Sequence, residues 1–273
     1  MWIVLGHSSN KRYFESAIKN GQLAHAYIFS GPDMVGKKMF AYDLAIQLNG
    51  RGIENNPDFK SVGPKIEDIR GLKSFLSNKP YFGPYQIVVI DNAEQMTVEA
   101  SNAVLKTLEE PSLSTILILI TSKPRHLLPT ISSRCQEIKF NCLTDNEITK
   151  FIPAKFEAND KELLKRLSGN RPGWLVKNSN NLSEIKKSVQ EFNKVMEQGI
   201  FEKIQYASKI YDTEIVPELI NNLIYWHYGQ NQTKANLLRG LTKLSNTISQ
   251  PQFNKRLALE SFLLGLTIFL KTL

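Results

Sequence analysis

SGPDMVGKKMF, Ser30 to Phe40, follows the apolar run HAYIF and precedes a segment of helical pattern. Gly31 and Gly36-Lys37 have the spacing G-x-x-x-x-G-K, in which backbone N–H groups and a helix N-terminus cradle phosphates while the lysine reaches the outer ones. The next position should be Ser or Thr, whose hydroxyl binds magnesium. Here it is Lys38, a cation with no lone pair to offer. The stretch predicts a strand, a phosphate-type loop and a helix, and leaves open whether that frame still holds a ligand.

Alternation of strands and helices extends outward from this loop. KRYFESAIKN, residues 11–20, has apolar positions at helical spacing and stops at Gly21. KKMFAYDLAIQLNG reads as the helix after the loop, RGIENNPDFKSVGP as a loop punctuated by Gly, Asn and Pro, and KIEDIRGLKSFLSNKP as a further helix. Four consecutive branched residues, Ile87 to Ile90, mark a strand buried on both faces, with Asp91 at its C-terminal end. A helix TVEASNAVLKTLEEP closes at Pro111. STILILITS is another two-sided strand, PRHLLPTISSRC a helical or turn segment, and QEIKF a last strand. Strands alternating with helices predict a parallel α/β sheet with its functional edge at the strands' C-terminal ends.

After about residue 142 the strand signal vanishes. Helical patterns such as KELLKRLSG, EIKKSVQEFNKVMEQG and NKRLALESFLLGLTIFLKTL take over, and the polar interval KNSNNLSE suggests a second boundary near residue 181. The expected organisation is therefore an α/β domain over 1–142, a small helical unit over 143–180 and a helical domain over 181–273.

At 273 residues, with 42% hydrophobic and 22% charged residues, the chain has the make-up of a globular protein able to bury more than one core. Its net charge of +8 is compatible with an acidic partner but too modest to name one. Only Cys135 and Cys142 are present, which is neither a disulfide framework nor a zinc set, and fits a reducing compartment. The N-terminus lacks a secretory pattern, and the apolar end LALESFLLGLTIFL is short and interrupted by Glu260, which predicts a buried helix rather than a membrane span. A cytoplasmic location is expected. His7, His25, His126 and His227 are scattered and read as structural.

Hydrolysis of a nucleotide needs an acidic residue at a strand end for magnesium, and Asp91 is well placed after IVVI. It also needs a carboxylate to polarise the attacking water. The adjacent residue is Asn92, whose amide cannot act as a base, and Glu94 on the following turn is expected to point elsewhere. Loss of both the magnesium hydroxyl and the base argues against turnover more strongly than either loss alone. Thr121 and Ser122, ending a buried strand, read as a polar sensor or as a cap of the next segment.

Taken in order, HAYIFSGPDMVGKK, NPDF, IEDIRGLKSFLSNKPYFGPYQIVVIDNAEQMTVEASNAVLKTLEEPS, TILILITSKPRHLLPTISSRCQ and NKRLALE resemble the delta-prime subunits of bacterial DNA polymerase III clamp loaders. The resemblance spans most of the first 140 residues, with a weaker echo near the C-terminus. It implies an AAA+ module, an ATPase-like α/β domain with a small helical lid, followed by a helical collar that builds a ring of five subunits with gamma/tau-like and delta-like partners. It implies also that the SRC motif supplies an arginine finger, by position Arg134, to the nucleotide of the neighbouring subunit. A planar cation against a γ-phosphate stabilises transition-state charge and is worth about 10³ to 10⁵ in rate. Such a subunit would help to place the sliding clamp on primed DNA as a component of the DNA-directed DNA polymerase holoenzyme.

Many relatives insert a cysteine-rich zinc module where this chain has NGRGIENNPDFKSV, so no zinc is expected. Arg171 precedes Pro172 at a loop edge and is not assigned to ATP; LEEP reads as a helix end that shapes an interface, and Cys135 as a small buried hydrophobe. The opposing reading is an ATP-hydrolysing motor resembling gamma or tau, which Lys38 and Asn92 disfavour. A free-standing DNA-binding module lacks any recognition-helix or aromatic-basic pattern. Gly31, Gly36, Lys37 and Asp91 then form a degenerate nucleotide site that holds ATP, a simple anion, or nothing.

Overall fold

Ile87 to Ile90 do form a strand in which every side chain is buried, and the rest of the α/β unit is arranged about it and its neighbours. In the computed structural model, which describes residues 2–50, 52, 56–76, 78–112, 114–211, 215–228, 235–250 and 253–271, the elements alternate as the apolar runs predict. They are α1 (Ser8–Asn20), β1 (Ala26–Ser30), α2 (Lys37–Asn49), β2 (Phe59–Val62), α3 (Ile66–Leu76) and β3 (Gln86–Ile90), then α4 (Val98–Glu109), β4 (Thr115–Thr121), α5 (Pro129–Ser132), β5 (Gln136–Lys139) and α6 (Asp145–Thr149). All strand pairs are parallel, in the order β2-β3-β4-β1-β5. β1 is thus an inner strand, with Ser30 opposite Thr121 of β4 on one side and Lys139 of β5 on the other.

Side chains alternate across a strand, so the inner strands β1, β3 and β4 each feed two cores. Tyr27 and Phe29 join Phe14 of α1, Phe40 and Leu44 of α2, and Ile87, Ile118 and Phe140 on one face. Ala26 and Ile28 join Ile69 and Leu72 of α3, Val104 and Leu108 of α4, and Val88, Leu119 and Ile131 on the other. The first face is rich in aromatic rings: Phe29 and Phe140 lie 5.0 Å apart between centroids, and Trp2 stacks on Phe40 at 4.8 Å. Helix limits follow local chemistry. Gly21, at φ 64°, lets the chain turn left-handed after α1, and the Thr97 hydroxyl accepts the Ala100 N–H to start α4.

One reading of the sequence is corrected. The stretch RGIENNPDFKSVGP, expected to be loop, contains β2. The strand is short, carries Lys60 and Ser61, is bounded by Pro57 and Gly63, and pairs on one side only, with β3, so it lacks the apolar run of an inner strand. Residues 51 and 53–55 of the same stretch, part of the place considered for a zinc module, lie outside the described residues.

Asp58 precedes this strand and is buried. Its carboxylate accepts the backbone N–H groups of Tyr81, Phe82 and Gly83 at 2.5, 2.6 and 3.0 Å, fixing the turn that leads into β3. Burial alone would raise the carboxyl pKa, but the three N–H donors outweigh it and hold the group below its ordinary value.

By internal packing the residues divide into two units, Met1–Ile148 with Arg171–Gly173, and Thr149–Asn170 with Trp174–Leu273. The second contains α7 (Ala158–Ser168), most of α8 (Pro172–Asn178), α9 (Leu182–Met196), α10 (Ile200–Ile210), α11 (Ile215–His227), α12 (Ala235–Ile248) and α13 (Lys255–Lys271). No strand follows Lys139 among the described residues. In α9 the buried side chains Leu182, Ile185, Val189, Phe192 and Val195 recur every three or four positions, the stripe of an amphipathic helix. Residue 181, near which a boundary was expected, lies in a single 3-10 turn, Ser179–Asn181, between α8 and α9 and within the second unit. Among the described residues no helix is long and apolar enough to cross a membrane, and Leu259 and Leu263 of α13 are buried.

Replacing Asp58 with Ala leaves three part-buried backbone N–H groups of one turn without their acceptor. Urea denaturation should show a loss of about 3 kcal/mol; a loss under about 0.5 kcal/mol would contradict this account of the turn.

Candidate functional site

β1 ends inside the sheet, so the chain must turn away at Gly31 directly against the end of β5. A Cβ on Gly31, at φ 141°, would stand 2.0 Å from the Phe140 carbonyl oxygen. Glycine is required there by backbone packing, whether or not a phosphate ever approaches. Gly36, at φ 103°, makes the second left-handed step, into α2, and Met34 takes a left-handed conformation that side chains rarely adopt.

Lys37 is buried, and its ammonium donates to the carbonyls of Gly31 and Pro32 at 2.6 and 2.7 Å. Burial pushes its pKa down, against the pull of Asp33, Glu94 and Asp91. The side chain that should reach toward outer phosphates is folded back onto its own loop. Lys38 points the other way. Its ammonium sits 3.0 Å from Asp91 Oδ2, and this hydrogen bond, with the carboxylate's charge, raises the lysine pKa. Asp91 Oδ1 accepts the Asn92 N–H at 3.1 Å, so both carboxylate oxygens are engaged. The sequence places a magnesium hydroxyl and a magnesium carboxylate here in a working site; in this chain the two positions bond to each other as cation and anion.

Asn92 adopts a left-handed conformation, φ 52°, and opens a 3-10 turn over Ala93–Gln95. That turn carries Glu94 to the end of β4, where Oε1 accepts from the Ser122 hydroxyl at 2.8 Å and the Ser122 N–H at 3.4 Å. Burial would raise the Glu94 pKa, but these and neighbouring hydrogen bonds keep it below the ordinary value. Glu94 thus finds a partner at the end of β4 that the sequence did not identify. Thr121 Oγ1 accepts the Lys123 N–H at 3.0 Å, a turn bond just before the 3-10 segment Pro124–His126, which itself has no side-chain cap.

His7 was read only as structural, and the structure gives it a specific task. Its Nε2 donates to the Val35 carbonyl at 2.9 Å, and its ring packs edge-on against Phe140 at 4.9 Å, bracing the phosphate-type loop from the N-terminal segment. Asp43 of α2 holds that segment in turn, accepting the N–H groups of Ile3 and Val4 at 2.5 and 2.9 Å. No periodicity or motif announces a loop brace made by a residue 28 positions away.

Arg134 lies two residues past the end of α5 on the same unit, with its side chain 39% exposed. Its Nη1 donates to the Thr130 carbonyl at 3.0 Å, and its Nη2 is 3.2 Å from Glu109 Oε1 at the end of α4. Cys135 beside it is half-buried, and burial pushes its thiol up to about 12, far from a reactive thiolate. Among the described residues no group of three or more His, Cys, Asp or Glu side chains could hold a metal ion.

A central parallel sheet with a G-x-x-x-x-G-K loop after its inner strand, an acidic strand end beside it and helices beyond defines a P-loop module of the AAA+ type. Residues 53–144 match the family described as DNA polymerase III, delta subunit. The chain is 35% identical over 138 residues to DNA polymerase III subunit delta' of Pseudomonas aeruginosa, covering 42% of each chain. It is 32% identical over 177 residues to that of Bacillus subtilis, covering 57% of this chain and 54% of the relative. The resemblance to delta-prime clamp-loader subunits thus rests on the family match and on both relatives. The chain spans about half the length of the curated relatives it matches. The solved structure of a DNA polymerase III gamma subunit-related protein from Thermotoga maritima has the same fold, with a TM-score of 0.58 at 21% identity over 92% of this chain and 97% of that one.

The brace predicts a pH dependence. Burial disfavours the His7 imidazolium and lowers its pKa, with Lys11 adding to this and the Val35 carbonyl and Glu147 opposing it. The folded value lies below the ordinary 6.5, so the unfolded chain takes up the proton first. Stability from this group is complete above about pH 6.5 and falls as pH drops further. His7→Gln should flatten the dependence of the urea midpoint between about pH 7 and pH 5; an unchanged slope would remove His7 as its source.

Proposed function

We propose that this protein is a non-motor clamp-loader subunit that helps to load a sliding clamp onto primed DNA. The observation that carries the reading is the Lys38–Asp91 ion pair, set beside Asn92 and an accessible Arg134. The chain's own loop lacks the hydroxyl and the base that hydrolysis requires, while a planar cation stands free enough to serve another site.

In this reading Arg134 is catalytic in trans, meeting the γ-phosphate held by a neighbouring gamma/tau-like subunit. Gly31, Gly36, Lys37 and Asp91 are the remains of a nucleotide site. Residues 1–142 act as the ATPase-like domain, 143–180 as the lid and 181–273 as the collar of a hetero-pentamer that includes a delta-like subunit. Support for a collar role comes from α10, whose first turns expose Ile200, Phe201 and Ile204 together, an apolar patch of the kind that marks a protein interface. The clamp and primer-template DNA are met through the assembled complex, in the cytoplasm. The motor reading has no observation in its favour at Lys38 or Asn92.

Two measurements test this. The purified chain should show no magnesium-dependent ATP turnover above a Lys37→Ala control, and turnover abolished in that control would overturn the non-motor reading. In a reconstituted loader, Arg134→Ala should leave assembly intact and lower the ATPase rate about tenfold or more at the neighbouring site. An unchanged rate would remove the finger role.

A further inference from the structure

We propose that Glu109 is the positioning residue for Arg134, holding its guanidinium aimed and partly fixed before a neighbouring nucleotide arrives; this rests on the reading of Arg134 as a finger in trans. The two residues come from different elements, each anchored by the core. α4 is rooted by Ala100, Val104 and Leu108, ends at Glu109 and is followed by Pro111, which stops the helix from continuing. α5 is a single turn started by Pro129 and pinned by the fully buried Ile131. The Arg134 N–H still bonds to the Ile131 carbonyl at 3.0 Å, so its backbone is part of that turn.

The guanidinium is held at two points, the Thr130 carbonyl at 3.0 Å and Glu109 Oε1 at 3.2 Å. The first contact is a hydrogen bond that uses one donor of Nη1 and the second an ion pair at Nη2, on a group that carries five donors in a rigid plane. The plane is thereby oriented while donors remain on it for an oxyanion. Both side chains are well exposed, 39% for Arg134 and 54% for Glu109, so the pair adds little to the stability of the fold. Its effect is on the freedom of a long side chain. An arginine that already occupies its working orientation loses less freedom when the transition state forms, and that gain falls on the chemical step rather than on nucleotide binding, because the nucleotide sits in the neighbour.

The test is steady-state ATPase kinetics of the reconstituted loader carrying Glu109→Ala, Glu109→Gln, Arg134→Ala and the Glu109→Ala/Arg134→Ala double variant, with urea midpoints to verify folding. Glu109→Ala should lower kcat about fivefold with KM unchanged, and Glu109→Gln, which keeps an acceptor oxygen, should return kcat to within about twofold of the parent. The double variant should be no slower than Arg134→Ala, since a residue that acts through Arg134 has nothing to act on without it. A parent-like Glu109→Ala, a Gln variant as slow as the Ala variant, or a further loss in the double variant would overturn the proposal. If Arg134→Ala is itself silent, the finger reading fails and the role of Glu109 with it. If Arg134→Ala is slow and Glu109→Ala is not, only the positioning role fails.

Discussion

Everything of functional interest in the α/β unit depends on β1 being hydrogen-bonded on both sides. With β4 and β5 as its neighbours, β1 has no freedom to shift, and its C-terminal end is fixed against the Phe140 carbonyl. The chain can leave only through a residue without a side chain, Gly31, and can enter α2 only through a second left-handed step at Gly36. The phosphate-type loop is therefore a consequence of sheet packing before it is a binding device. This explains how its shape can persist when the chemistry attached to it has been replaced.

The replacement is internally consistent. A lysine in place of a hydroxyl would leave an unbalanced cation at the strand ends; paired with Asp91 it leaves a neutral junction between α2 and β3. Lys37, turned to the Gly31 and Pro32 carbonyls, supplies donors to two acceptors of its own loop. Meanwhile Arg134 and Glu109, at the ends of α5 and α4, face outward with exposed side chains. Lys37 is turned inward onto its own loop, while the Arg134–Glu109 pair is left at the surface.

The inner strands were legible because burial on both faces forces unbroken apolar runs, as in Ile87–Ile90 and Ile116–Ile120. β2 was not, because an edge strand needs no such run and Lys60 and Ser61 hide it among turn residues. The loop residues Gly31, Gly36 and Lys37 and the acidic strand end Asp91 could be found by spacing. Their partners could not. The bonds from His7 to Val35, from Glu94 to Ser122, and from Asp58 to three successive N–H groups join residues far apart in sequence, and only the fold decides that they meet. Glu109 was visible as a helix end, but its pairing with Arg134 depends on how α4 and α5 are set side by side.

The ammonium of Lys38 differs from a metal ion in one respect that has wide effect: it is tethered. A magnesium ion arrives with a nucleotide, leaves with its product and can be removed by a chelator, so a loop held by it changes state with the chemistry. A side-chain cation can open and close against its partner, but it cannot be diluted away or chelated. The junction between α2 and β3 is therefore closed by the chain's own residues and needs no ion from solution.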